Sequence, residues 1–437
     1  MPKTPSFTTI STKLQRIAEL AKEAPQLAFT TLAHHIDMSL LHEAFRRTRK
    51  DAAAGVDGQK GAEYAANLEG NLRSLLDRVK SGKYQAPPVR RVHIPKGEGS
   101  KTRPIGVPTF EDKVLQRAVV MILEPIYEQD FVDWSYGFRP RRSAHQALAA
   151  TREQLMNMHG GWVLEVDIAS FFDELDHGHL RGFVRQRVRD GVLLRLLGKW
   201  LNAGVLEDGV AVTSKVGTPQ GGVVSPLLAN IYLHEVFDRW FEDVVRPRLR
   251  GQAFAVRYAD DMLVAFRSES DARRVMKALP QRFARFGLRL HPEKTRLVEF
   301  HQAWRSQKRR GPRQGSFDLL GFTHFWARSR RGSWVVRRKT ASDRFRRAVR
   351  RLGQWCRFHR HLPVVEQHRQ LSAKLRGHDA YYGITGNWRS LGQLRWKLVR
   401  AWRGWLHRRS QRGMTWEKFF RLLKRYPLPS PRIVHRV

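Results

Sequence analysis

Apolar residues recur at helical spacing near the start of the chain, where Leu14, Ile17, Leu20 and Ala21 share one face behind Ser11 and Thr12, a pair suited to capping a helix. A second helical spacing runs from Tyr64 to Lys80, follows a Gly55-Val56-Asp57-Gly58 turn and is closed by Ser81-Gly82. The period then changes. Val89 to Pro108 alternates around a Gly-rich turn and predicts a β-hairpin carrying Arg90, Arg91, Lys96, Lys101 and Arg103. Gly161 to Ile168 reads as a largely apolar strand ending on Asp167. Two further apolar runs, Ala253 to Val256 and Met262 to Phe266, flank Tyr258-Ala259-Asp260-Asp261, so adjacent carboxylates fall at a hairpin tip.

Asp-Asp in a turn is most often a solvated turn whose side chains bond their own backbone. Asp167, at the end of an independent strand, changes that reading, because it can complete a three-carboxylate set. Neighbouring carboxylates that all stay ionised need cations. Paired Mg²⁺ ions held there can stabilise the attacking and leaving oxygens of a phosphoryl displacement.

Charge says what such a site would act on. Against 80 Lys and Arg stand 40 Asp and Glu, a net +40 over 437 residues. The partner is therefore a polyanion bound with strong salt dependence, nucleic acid by default. A membrane surface fits less well, since no run of about 18 apolar residues exists and the charge is spread along the chain. Hydrophobic residues make up 41 % with 13 Trp and 23 Phe, enough for two or three cores. The lone Cys356 rules out internal disulfides and Cys-pair zinc sites, and no secretory signal is evident, so a reducing compartment, most simply the cytoplasm, is expected. After Arg338 the composition shifts: residues 341 to 437 hold 24 Lys and Arg against 4 Asp and Glu, with six of the tryptophans. Basic residues interleaved with aromatics suit RNA binding by phosphate contact and base stacking. A helical bundle with tryptophans inside and arginines outside fits the same pattern.

The block from Gly217 to His234 (GTPQGGVVSPLLANIYLH) resembles the fourth block of group II intron reverse transcriptases. The resemblance runs in order through GVDG at Gly55, KTRPIGVPTFEDKVLQRAV from Lys101, YGFRPRRSAHQAL from Tyr136, DIASFFDELDH from Asp167, RYADD from Arg257, LHPEKT from Leu290 and LLGF from Leu319. It implies an α/β right-hand polymerase with fingers and palm around an antiparallel sheet, followed by an all-α thumb. Asp167, Asp260 and Asp261 match the catalytic aspartates that hold two Mg²⁺, with the Ile168 carbonyl as a further metal ligand. Glu165 and Asp173 flank the site without matching ligands. Phe172 falls where related enzymes place the aromatic that excludes a ribose 2′-hydroxyl. Lys101, Arg103 and Gln220 match nucleotide-binding positions, and Lys294 a lysine that assists the pyrophosphate leaving group. RNA contacts are expected from Arg139, Arg141 and Arg142, and from Arg376, Arg389 and Arg403 in the basic C-terminal segment. There Gly377-His378-Asp379-Ala380-Tyr381-Tyr382-Gly383-Ile384 resembles the maturase-region signature.

The expected organisation is an N-terminal helical extension and start of fingers over 1–88, fingers and palm over 89–338, and a basic α-helical thumb and maturase domain over 339–437. No endonuclease-like segment follows Lys424-Arg425-Tyr426-Pro427, which resembles compact class C members that take their primer from nascent or single-stranded DNA. The implied partners are group II intron RNA, an RNA template with a DNA primer, dNTPs and target DNA, with room for a homodimer. Two other classes compete: a splicing-only maturase, and a domesticated reverse transcriptase of phage defence or CRISPR adaptation. Intact Asp167, Asp260 and Asp261 speak against the first. No fused domain speaks for the second.

Overall fold

A computed structural model describes residues 7–95, 102–207, 210–212, 221–302, 315–409, 411 and 413–437. Helices α1 (Phe7–Glu23), α2 (Met38–Arg47), α3 (Gly61–Ala66) and α4 (Leu68–Lys80) open the chain. Strands β1 (Val89–Pro95) and β2 (Thr102–Val107) lead to α5 (Phe110–Asp130) and α6 (Ala144–Asn157). Then come β3 (Gly160–Val166), β4 (Ile168–Ala169), α7 (Phe171–Glu174), α8 (His177–Arg187), α9 (Gly191–Leu201), β5 (Val205–Glu207), β6 (Val210–Val212) and α10 (Ser225–Leu233). The next stretch carries β7 (Ala253–Tyr258), β8 (Asp261–Phe266), α11 (Glu269–Ala284), β9 (Arg289–Leu290), β10 (Arg296–His301), β11 (Phe317–Leu319), β12 (Phe322–Arg328) and β13 (Trp334–Thr340). Helices α12 (Ser342–Phe358), α13 (Val364–Tyr382), α14 (Trp388–His407) and α15 (Trp416–Arg425) close it.

Two expectations shift at their edges. Helix α1 begins at Phe7, ahead of Ser11 and Thr12, because its buried stripe of Ile10, Ile17 and Ala21 extends the apolar face backwards. The spacing from Tyr64 to Lys80 becomes two helices, since Asn67 leaves helical geometry (φ −128°, ψ 51°) while Asn71 Nδ2 donates to the Tyr64 carbonyl at 2.9 Å. Gly82 closes α4 with φ 75°, a left-handed conformation glycine adopts without strain.

The central sheet is antiparallel in the order β10-β3-β8-β7. A second sheet runs β2-β1-β5-β6, and a third, β11-β12-β13, is an antiparallel meander. The largest core joins α1, α2, α5, α8, α9, α10 and α11 to the inner sheet residues Leu164, Val166, Val264 and Phe266. Helix α5 is buried on nearly every side, which explains its almost unbroken apolar run from Val114 to Leu123. The other face of the sheet packs through Val163, Val256, Leu263 and Phe300 against α6 and the meander residues Phe317, Phe322 and Trp326. A third core, around Leu352, Cys356, Leu371, Leu398, Trp402 and Phe419, binds the last four helices together.

Candidate active site

The hairpin tip is built by tight backbone packing. Strands β7 and β8 close at Tyr258 opposite Asp261, leaving a two-residue turn in which Ala259 has φ 56°. A non-glycine residue there costs on the order of 1 kcal/mol or more and persists only where its surroundings over-determine it. Gly137 supplies part of that constraint, because a Cβ on it would stand 2.2 Å from the Ala259 nitrogen.

The rest comes from a buried ion pair beneath the turn. Arg257 and Asp238 are both wholly buried, with Nε donating to Oδ1 at 2.8 Å and Nη2 to Oδ2 at 2.5 Å. Arg257 Nη1 donates to Asn230 Oδ1 at 2.9 Å, and Asn230 Nδ2 donates to the Gly137 carbonyl at 2.7 Å. Burial alone would raise the Asp238 carboxyl, but Arg257 and His234 outweigh it and hold it below the usual carboxylate range.

Asp167 lies where the chain leaves β3 and enters β4. The register pairs Val166 with Met262, so Asp167 is set beside the Asp260-Asp261 tip. Its backbone is clamped from the 291–295 turn: His291 N–H donates to the Asp167 carbonyl at 2.8 Å, and the Thr295 hydroxyl lies 3.3 Å from that carbonyl and 3.4 Å from the Asp167 nitrogen. Ile168 then pairs with Leu290 across β4 and β9. Lys294 Nζ donates to both Asp167 carboxylate oxygens at 3.1 Å.

Asp261 remains accessible to solvent at the floor of a cavity of about 750 Å³. Desolvation by the surrounding protein, then repulsion from Asp260 and Asp167, push its carboxyl up to about 6. Asp167, Lys294, Glu165 and Arg296 line the same cavity. Glu165 is engaged by Arg296 and by the Asp318 N–H at 3.1 Å. The facing wall comes from the C-terminal helices, through Arg344 of α12 and Tyr381 and Tyr382 of α13, with the Tyr381 hydroxyl donating to the Leu320 carbonyl at 2.9 Å. Arg344 and Tyr382 also line a neighbouring cavity of about 470 Å³, where Arg347 and Arg351 of α12 face Lys374 and His378 of α13. Among the described residues no three His, Cys, Asp or Glu side chains converge closely enough to ligate one ion, and the Lys294 ammonium partners Asp167.

Lys101 and Gln220 lie outside the described residues. Arg103 is exposed on β2 opposite Ile94. Phe172 is half-buried, edge-on to Phe171 at 5.2 Å and packed on the main core. Arg139 departs from the RNA-contact expectation: it is buried, paired with Glu128 at 3.0 Å, and donates to the Val132 and Ser135 carbonyls at 2.6 and 2.9 Å. Its guanidinium organises the loop after α5 and is not offered to a partner. Arg142 pairs with Asp133 at 2.9 Å, while Arg141, Arg376 and Arg389 are exposed. The Arg403 guanidinium stacks over Trp416 at 4.3 Å.

Sequence reasoning missed Asp238, Asn230 and Arg344. A charged residue inside the apolar run of β7 was a signal for Arg257, although nothing local identified its partner. Arg344 shares a helical stripe with Arg347 and Arg351, which marks a basic face without saying that it meets a carboxylate site.

Residues 94–324 match the family model described as reverse transcriptase (RNA-dependent DNA polymerase). The chain belongs to this family. For the matched segment the family implies a right-hand polymerase fold, and the mixture of helices with antiparallel sheets agrees with it. Protein YkfC of Escherichia coli K12 is 38% identical over 289 residues, 58% of this chain and 75% of that protein. The group II intron-encoded protein LtrA of Lactococcus lactis is 37% identical over 250 residues, 54% of this chain and 41% of LtrA. Nuclear intron maturase 2 of Arabidopsis thaliana is 28% identical over 181 residues, 32% of this chain and 24% of that protein. This chain thus spans well under half the length of LtrA that it resembles. Among the described residues no helix is long and apolar enough to cross a membrane.

Proposed function

We propose that the chain copies RNA into DNA at the Asp167, Asp260 and Asp261 cluster, and that it binds a group II intron RNA to promote splicing and retrotransposition into target DNA. The observation that carries the polymerase reading is the β3–β8 register, which sets Asp167 beside the turn bearing the other two carboxylates, with Asp167 and Asp261 lining an open cavity. The intron reading is supported by the likeness to LtrA and to an intron maturase, and by the basic C-terminal helices.

The chemistry of the donor set suits two Mg²⁺, which would have to draw the carboxylates together and take the place of Lys294 at Asp167. It consists of hard oxygens only, and the Asp261 carboxyl, raised by desolvation and then by repulsion from Asp260 and Asp167, stands among negative charge that a divalent cation would relieve. Asp167, Asp260, Asp261 and the Ile168 carbonyl would hold the ions, which when bound supply charge stabilisation at the attacking and leaving oxygens. The other groups orient and discriminate. The clamp from His291 and Thr295 fixes where the Asp167 carboxylate points. Lys294 reaches the same place with a proton-bearing ammonium, suited to neutralising a departing pyrophosphate. Phe172 would exclude a ribose 2′-hydroxyl, and Lys101, Arg103 and Gln220 would meet the incoming dNTP.

In this reading residues 1–88 begin the fingers, 89–338 form fingers and palm, and 339–437 the thumb. The basic groove between α12 and α13 opens from the catalytic cavity through Arg344 and Tyr382, which suits it to the template and primer backbones leaving the site. Primer extension on an RNA template with Mg²⁺ and dNTPs tests the proposal. The wild type should make cDNA and Asp260→Ala should not, while both bind RNA alike. Failure of well-folded, RNA-binding wild type to make cDNA would leave a splicing-only maturase.

A further inference from the structure

The polymerase reading uses the faces of α12 and α13 that line the two cavities and leaves the outer face of α14 unassigned. That helix has a clear inner stripe of Leu391, Leu394, Leu398, Trp402 and Leu406, all buried. Its outer side carries two large aromatics in the open: Trp388 is 55% exposed and Trp396 53% exposed. Helix α15 adds Trp416 at 39% and Phe420 at 55%. Tryptophan buries a large hydrophobic area when packed, so several rings left in water on one region mark a binding surface.

Two of the rings carry an arginine. The Arg400 guanidinium lies over Trp396 at 4.6 Å, Arg403 lies over Trp416 at 4.3 Å, and Trp416 stacks on Phe420 with centroids 5.6 Å apart and planes 27° from parallel. Arg400 and Arg403 are one turn apart on α14, which brings Trp396 and, across the two helices, Trp416 and Phe420 together with two cations. Residues 388 to 425 hold twelve Lys and Arg and a single acid, Glu417. Eight residues separate Trp388 from Trp396, roughly 12 Å along a helix.

We propose that this surface binds unpaired nucleotides of RNA, the exposed rings of Trp388 and Trp396 receiving bases and the neighbouring arginines the phosphates. The inference deepens the RNA-binding half of the function above and rests on it. Stacking of this kind needs a base with a free face. A duplex hides its faces and would meet only the cations. A membrane surface is the competing partner for a Trp- and Arg-rich amphipathic pair. That mode requires a wide apolar face, whereas the buried leucines of α14 are turned inward and guanidiniums lie over two of the exposed rings.

The test measures binding of the full chain to a 12-nucleotide single-stranded RNA, to a 12-base-pair RNA duplex, and to vesicles of anionic lipid. Trp396→Ala should weaken single-strand binding by about tenfold and duplex binding by less than about twofold, with the salt dependence unchanged because no charge is lost. Trp396→Phe should restore most of the loss, since the ring face returns. Arg400→Ala should weaken both RNAs and flatten the salt dependence. An equal loss on duplex, or no loss on single strand from protein that melts as the wild type does, would overturn the inference. So would vesicle binding that Trp396→Ala abolishes while RNA binding persists. If the wild type binds neither RNA, the intron-RNA reading itself fails; if it binds the single strand and Trp396 does not matter, only the stacking surface fails.

Discussion

Removing the buried arginine under the Asp260-Asp261 turn should be among the most damaging single changes away from the carboxylates. Arg257→Leu deletes three short hydrogen bonds and leaves Asp238, wholly buried, with no full opposite charge. Breaking such a pair from one side costs about 3–5 kcal/mol, a large part of the roughly 5–15 kcal/mol that typically holds a domain folded. The pH dependence follows from the direction of the Asp238 shift. In the wild type this carboxyl titrates below its unfolded value, so its stabilisation is present above about pH 4 and is lost as the pH falls further. In the variant only His234 still opposes burial, so the carboxyl moves up and the penalty grows as the pH rises. The gap between the two proteins in urea unfolding should therefore be wider near pH 8 than near pH 5. Combining Arg257→Leu with Asp238→Leu removes both charges and should recover most of the stability, although cDNA synthesis stays impaired because Asn230 and the turn have lost their support. A single variant as stable as the wild type, or a double variant no better than the single, would refute the account.

The raised Asp261 carboxyl makes metal binding compete with a proton. Ionising it costs the metal-free fold stability above its unfolded value, in full once the pH passes about 6, so Mg²⁺ should raise the melting temperature more near pH 8 than near pH 5; equal shifts would contradict the assignment. Gly137→Ala drives a Cβ against the Ala259 backbone, where neither partner can rotate away, and should cost about 1–3 kcal/mol and most of the primer extension, whereas full activity would mean the turn tolerates displacement. Phe172→Ala should raise ribonucleotide incorporation relative to dNTPs in single-nucleotide extension, and unchanged discrimination would return Phe172 to packing against Phe171.

The carboxylate site was legible because each aspartate interrupts an apolar strand, and a charge at the end of a period-two pattern marks a strand end whatever lies around it. The pattern puts Asp167 at the end of a strand and Asp260-Asp261 at a hairpin tip; in the structure Asp167 directly follows β3, Asp260 lies in the β7–β8 turn and Asp261 opens β8. Their supports were not legible, since Asp238 meets Arg257 from the end of a π-helical turn, His234–Asp238, that follows α10. Local sequence carries no statement about that register. Arginines show the same division. Arg139 and Arg141 sit two apart in one basic run, yet Arg139 is consumed by Glu128 and two carbonyls while Arg141 faces water. In the C-terminal region the competing readings of the tryptophans both apply: Trp402 lies inside, donating to Gln367 at 2.8 Å, and Trp388, Trp396 and Trp416 lie outside. Composition counts cations and rings, but the leucine stripe of α14 decides which of them remain available to a partner.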